Sequence, residues 1–166
     1  TSDLYLYFFF RSLDLLRDSG TLSFVTSNSW LDVDYGIRLQ ELLLTEGEIQ
    51  HVLENRSQRT FSEADVNTVI SVVNRDPSGY LSNDVDFLAV HEAYSRFISS
   101  DTMGAVLSGT DGESAELSFQ DQALNVDTGE QGRSVRLSTA ALWELGDGTA
   151  SPTGEGDSER LPQGRY

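Results

Sequence analysis

Cysteine and lysine are absent from this 166-residue sequence, methionine occurs once and proline three times. Without cysteine, neither a disulfide framework nor a thiolate metal site can form, and two isolated histidines, His51 and His91, argue against zinc. Long apolar runs are lacking too. The longest, Leu4 to Phe10, falls far short of the roughly 20 residues that span a bilayer, and no succession of basic, apolar and small residues forms a signal peptide. The expectation is a soluble, cytoplasmic protein with no membrane partner. Because lysine is missing, all 11 basic residues are arginine, set against 27 Asp and Glu for a net charge of −16. That balance excludes a conventionally basic nucleic-acid-binding domain. Hydrophobic content is an ordinary 38%, so the acidity reads as spread over a folded surface rather than as a mark of disorder. A salt-adapted protein fits, since the Debye length shrinks to about 3 Å at roughly 1 M salt and surface repulsion is screened. An acidic protein of ordinary ionic strength is the alternative.

The length suits one domain by the prior of about 100 to 200 residues, yet the chain opens on Thr1 and enters an apolar segment at once, as expected of a piece of something longer. Apolar positions from Leu4 to Leu16 recur at helical spacing, and Asp18-Ser19-Gly20 supplies a stop where glycine can take the left-handed conformation. Thr21 to Thr26 is short and β-prone and feeds the polar turn Ser27-Asn28-Ser29. Asp34 can cap a helix with an apolar stripe from Ile37 to Leu44, followed by a strand from Ile49 to Leu53. The β-branched run Val66 to Val73 reads as a central strand. Weaker signals mark a strand Val85 to Val90, a helix Glu92 to Ile98, a helical turn near Met103 to Leu107, a turn at Thr110-Asp111-Gly112, a strand Arg133 to Leu137, and a helix Thr139 to Leu145 capped by Ser138. This order predicts an α/β sheet with helices on its faces and ligands at the carboxyl ends of its strands. From Gly146 to Arg160 there is almost nothing to bury. No P-loop, Gly-x-Gly-x-x-Gly, Gly-x-Ser-x-Gly or His-Glu-x-x-His motif occurs, and the sequon Asn55-Arg56-Ser57 is a chance match.

The informative pattern is an ordered string. It runs from the aromatic segment Asp3-Leu4-Tyr5-Leu6-Tyr7-Phe8, through Val25-Thr26-Ser27-Asn28-Ser29-Trp30-Leu31 and Tyr35-Gly36, to Arg59-Thr60-Phe61 and the strand ending in Val69-Ile70. This string resembles the second half of the catalytic domain of adenine-N6 DNA methyltransferases of the Taq and type IIG restriction-modification kind, strongly over about residues 1–75 and more loosely to about 150. The resemblance implies the C-terminal half of a Rossmann-like sheet dependent on S-adenosylmethionine, an incomplete domain at residues 1–108. It is followed by an irregular extension with one strand and one helix at 109–145 and an acidic linker or tail at 146–166. Val135-Arg136-Leu137-Ser138 and Gly164-Arg165-Tyr166 look like the approach to a target-recognition region.

By the same resemblance, Phe61 stacks on an adenine swung out of the duplex. Extrusion costs a few kcal/mol and stacking returns roughly 1 to 3 kcal/mol; packing beneath its own loop is the other reading of Phe61. Phe8 and Tyr5 match the helix that lines the adenine side of the cofactor pocket, or else belong to the core. Asn28 and Trp30 sit in a loop where polar side chains reach substrate or simply serve the turn. Arg56 and Arg59 flank the base pocket and meet phosphate, or are ion-paired at the surface. Residues 1–75 hold 6 Arg against 11 acids, the less acidic half. The family's glycine-rich segment and its Asn-Pro-Pro-Tyr type motif are missing from this sequence. No catalytic residue is therefore assigned, and the segment alone is expected to be inactive. Its expected partners are double-stranded DNA bound through the complete protein, the other half of the domain, and the downstream target-recognition region. A non-catalytic acidic interaction module with a methyltransferase-derived fold is the rival from a different class.

Overall fold

The computed structural model describes residues 3–57, 66–75, 82–91, 93–97, 113–119, 122–129 and 132–147. Helix α1 (Leu4–Leu15) begins where the Asp3 carboxylate accepts the Leu4 N–H, and it turns Leu6, Phe9 and Leu13 inward. Its far end is closed by a residue distant in sequence: Arg75 Nη1 donates to the carbonyls of Leu13, Asp14 and Leu16 at 2.9, 3.1 and 2.8 Å. A guanidinium there both fills orphan acceptors and complements the negative helix end. The left-handed residue beyond is Ser19 (φ 60°) rather than Gly20. Ser19 is held there by its N–H bond to the Arg75 carbonyl at 2.9 Å, while Gly20 supplies room, since a Cβ would lie 2.8 Å from the Arg17 oxygen.

Strand β1 (Thr21–Ser27) runs into a 3-10 turn at Asn28–Leu31, and a second turn at Asp34–Gly36 precedes α2 (Ile37–Thr45). The expected Asp34 cap is thus displaced: Gly36 occupies the N-cap position without a side-chain bond. Strands β2 (Glu48–Asn55), β3 (Thr68–Asn74) and β4 (Asp84–Val90) follow, then the single turn α3 (Tyr94–Phe97), strands β5 (Glu113–Phe119), β6 (Gln122–Thr128) and β7 (Gly132–Ser138), and helix α4 (Thr139–Asp147). All seven strands form one mixed sheet in the order β1-β3-β2-β4-β7-β6-β5, with β2 and β4 the parallel neighbours. The α/β expectation holds, and β3 is interior as its β-branched run implies. The extension was expected to hold one strand but carries three, and α4 is capped by Ser138, whose Oγ accepts the Ala141 N–H at 3.1 Å. The expected features at Met103 to Leu107 and Thr110 to Gly112 lie outside the described residues, as does the chain beyond Asp147.

Two cores flank the sheet. On one face α1, α2, Trp30 and α4 (Leu142, Trp143) pack over Ile49, Val52, Val69, Val73 and Val85. On the other, Tyr94 and Phe97 of α3 cover Leu53, Ile70, Leu88 and Val90. Each such side chain contributes about 1.5–3 kcal/mol by burial. Among the described residues no helix is long and apolar enough to cross a membrane.

Candidate functional site

Strands β1 and β2 are each antiparallel to β3 between them, so their C-terminal ends emerge at one edge of the sheet. Ligands of open α/β sheets gather at such an edge. Thr26 and Glu54 are both in register with Val69 of β3, and Asn28, two residues past Thr26, reaches across the start of β3 to Glu54. Its Nδ2 donates to Glu54 Oε1 at 3.1 Å, while its backbone N–H donates to the Asn67 carbonyl at 3.0 Å. Glu54 Oε2 takes Arg56 Nε at 2.7 Å. Residues 54 and 56 meet because strand side chains alternate with period two, and Arg56 continues the strand pairing by donating its N–H to the Val90 carbonyl at 2.8 Å.

Around this pair the turns are closed by short hydroxyl contacts. Ser27 Oγ and Ser29 Oγ lie 2.7 Å apart, and the Ser29 N–H donates to Ser27 Oγ at 3.2 Å. Asn55 Oδ1 accepts the Ser57 N–H at 2.9 Å. Beneath, the Tyr94 hydroxyl donates to the Leu53 carbonyl at 2.6 Å and approaches that of Thr68 at 3.3 Å. Burial first, and the Glu54 charge to a lesser degree, push the Tyr94 phenol above its ordinary value against the opposing effect of the Asn55 backbone, so it remains a neutral donor that ties β2 to β3.

The structure brings Asn28 and Arg56 together through Glu54. Trp30 is placed differently from Asn28. At 2% exposure it lies in the core, edge-on to Phe9 with ring centroids 6.4 Å apart, and it supports the loop from below. Its indole is too large and apolar to stay in solvent when α2 offers a pocket. Phe8 is 54% exposed on the outer face of α1. Tyr5 is partly buried with its hydroxyl enclosed; burial, then the neighbouring Tyr35 hydroxyl, push that phenol up. An exposed ring on a helix has the chemistry to stack on an adenine, so Phe8 fits the cofactor implied by the resemblance, whereas the Tyr5 hydroxyl is turned into the fold. Phe61 and Arg59 lie outside the described residues. Sequence reasoning missed Glu54 and Tyr94. The signal for Glu54 was its period-two spacing to Arg56, lost among so many acids. Among the described residues no group of three or more His, Asp or Glu could hold a metal ion.

These features define a mixed α/β sheet with a polar cluster at its strand ends, and the comparisons with known proteins narrow the class. Residues 1–61 match the model of the Eco57I restriction-modification methylase family. In fold, the chain is similar to the type IIG restriction endonuclease BpuSI, with a TM-score of 0.56 and 14% identity over 81% of this chain and 14% of that one. The M protein of the type I restriction enzyme EcoKI aligns with a TM-score of 0.45 and 15% identity, over 52% of this chain and 19% of that one. This chain therefore spans less than a fifth of either protein's length. No curated protein matches it.

Proposed function

We propose that the chain is part of an S-adenosylmethionine-dependent DNA adenine-N6 methyltransferase of a restriction-modification system from a salt-adapted organism. In this reading it supplies the sheet completion and the substrate-facing wall, while the reactive motif comes from polypeptide outside this sequence. The observation that carries the reading is the coincidence of the methylase match over residues 1–61 with the Asn28–Glu54–Arg56 cluster, which falls inside that segment at the strand ends. When bound, S-adenosylmethionine supplies the methyl group. Phe8, exposed on α1, would hold its adenine ring by stacking. Asn28 offers a carboxamide to the target base, Arg56 and Arg59 meet backbone phosphate, and Phe61 stacks on the extruded adenine. Sixteen excess negative charges leave little counterion-release drive, so affinity rests on stacking and base-edge contacts and on other domains of the complete protein.

The test uses the complete polypeptide with methyl-labelled S-adenosylmethionine and adenine-containing duplex DNA. Label is expected in N6-methyladenine. Phe61→Ala is expected to lower turnover on duplex by about tenfold, a loss of about 1.4 kcal/mol, with cofactor affinity nearly intact. Absence of label from the complete polypeptide returns the reading to the interaction module, and unchanged turnover in Phe61→Ala removes that ring from the site.

A further inference from the structure

Glu54 is a carboxylate placed where the methyltransferase reading does not require one, and both its oxygens are engaged across two strands. We propose that Glu54 is a positioning residue that fixes which end of the Asn28 carboxamide faces a ligand at the strand ends. The proposal rests on the reading above and deepens it. An ionised carboxylate only accepts hydrogen bonds, so the Asn28 group facing it must be the NH2. The Asn28 main chain is already held by its N–H bond to Asn67, which leaves side-chain torsion as the remaining freedom, and Glu54 removes it. Oδ1 is thereby the atom the loop presents, an acceptor suited to an N–H donor such as the amino edge of adenine. Arg56 anchors the carboxylate from the other side at 2.7 Å, and the Glu54 side chain is only 20% exposed, so the carboxylate is held by geometry as well as by charge. A group poised in this way needs no reorientation when a ligand arrives.

Glu54→Gln keeps the volume but allows either end of the Gln amide to face Asn28, so the constraint is lifted. In the complete enzyme it is expected to lower kcat on duplex DNA about tenfold with the KM for S-adenosylmethionine within about twofold of wild type. The loss is expected to vanish in an Asn28→Ala background, a non-additivity that a merely structural role would not produce. Wild-type kcat in Glu54→Gln, or an equal loss with and without Asn28, overturns the proposal. A second measurement does not depend on activity: the Asn28 side-chain NH2 resonances in labelled protein are expected to be shifted and slow to exchange, and to lose both properties in Glu54→Gln. Solvent-like exchange in the wild type overturns the proposal, whereas absent methyl transfer with a protected Asn28 NH2 overturns only the reading beneath it.

Discussion

Gly36 faces the backbone of Trp30 so closely that a Cβ placed on it would lie 2.0 Å from the Trp30 carbonyl oxygen. The same carbonyl accepts Gln40 Nε2 at 2.7 Å, so it is fixed from two directions and cannot retreat. Gly36→Ala is therefore expected to destabilise the chain by about 1–3 kcal/mol, the range for overpacking a tight contact, read as a lower denaturant midpoint with unchanged slope. A wild-type midpoint would mean that the turn before α2 yields more easily than its contacts imply. The Tyr35-Gly36 pair was visible in the sequence as part of a helix start, but its partner was not, because the approach joins Gly36 to a backbone six residues earlier. The burial of Trp30 was hidden from the sequence for a related reason. A tryptophan in a polar Ser-Asn-Ser loop has the local signature of a surface residue, and only the packing of α2 and Phe9 reveals its burial.

At the level of elements, the join between β2, β4 and β7 is polar on one face. Arg136 grips Asp86 with two bonds, Nε to Oδ1 at 2.6 Å and Nη2 to Oδ2 at 3.0 Å, and His51 Nδ1 lies 3.4 Å from Oδ2. Burial alone would raise the Asp86 carboxyl pKa, but its hydrogen-bonding contacts with His51 and Arg136, and their charges, outweigh burial and hold it below the ordinary carboxylate range. A lowered native pKa contributes stability above the unfolded value of about 3.9, and that contribution is lost as pH falls through the native value. Asp86→Asn is expected to cost about 1–2 kcal/mol at pH 7, a charge-assisted bond discounted because Arg136 is half exposed. The gap from wild type should close as the pH falls below about 4. Urea midpoints for both proteins across that range check it, and an equally wide gap in strong acid would exclude the pair as its source. These strands were unequally legible. Arg133 to Leu137 and Val85 to Val90 were read as strands and fall within β7 and β4. The β5 sequence Glu-Ser-Ala-Glu-Leu-Ser-Phe has no β-branched residue, so its strand state comes from pairing with β6, which propensity does not encode. Nor does the insertion of β3 between β1 and β2 follow from local pattern, although the strand itself does.

For the molecule as a whole, the charge of −16 is a self-repulsion that the fold must overcome. A single acid on α2 does not display it, because burial is what raises the Glu41 pKa and the neighbouring Glu46 adds less than Arg38 takes away. Several acids are exposed, among them Asp18, Glu46 and Glu116. Surface charges far apart interact across a Debye length of about 10 Å at 0.1 M salt and only about 3 Å at 1 M. Repulsion therefore weakens with salt, while the close contacts of Glu54 and Asp86 are screened less because their carboxylates are mostly buried. The thermal midpoint should accordingly rise by several degrees between about 0.1 M and 1 M potassium chloride. Salt also strengthens apolar burial to a degree, so the increase alone does not identify charge as the cause. Neutralising the repulsion without salt separates the two effects. The triple change Asp18→Asn, Glu46→Gln and Glu116→Gln should raise the midpoint at 0.1 M, each site contributing a few tenths of a kcal/mol, and should leave it unchanged at 1 M. If the triple variant gains equally at both concentrations, the gain comes from local packing or propensity, and the acidic surface is no burden on the fold.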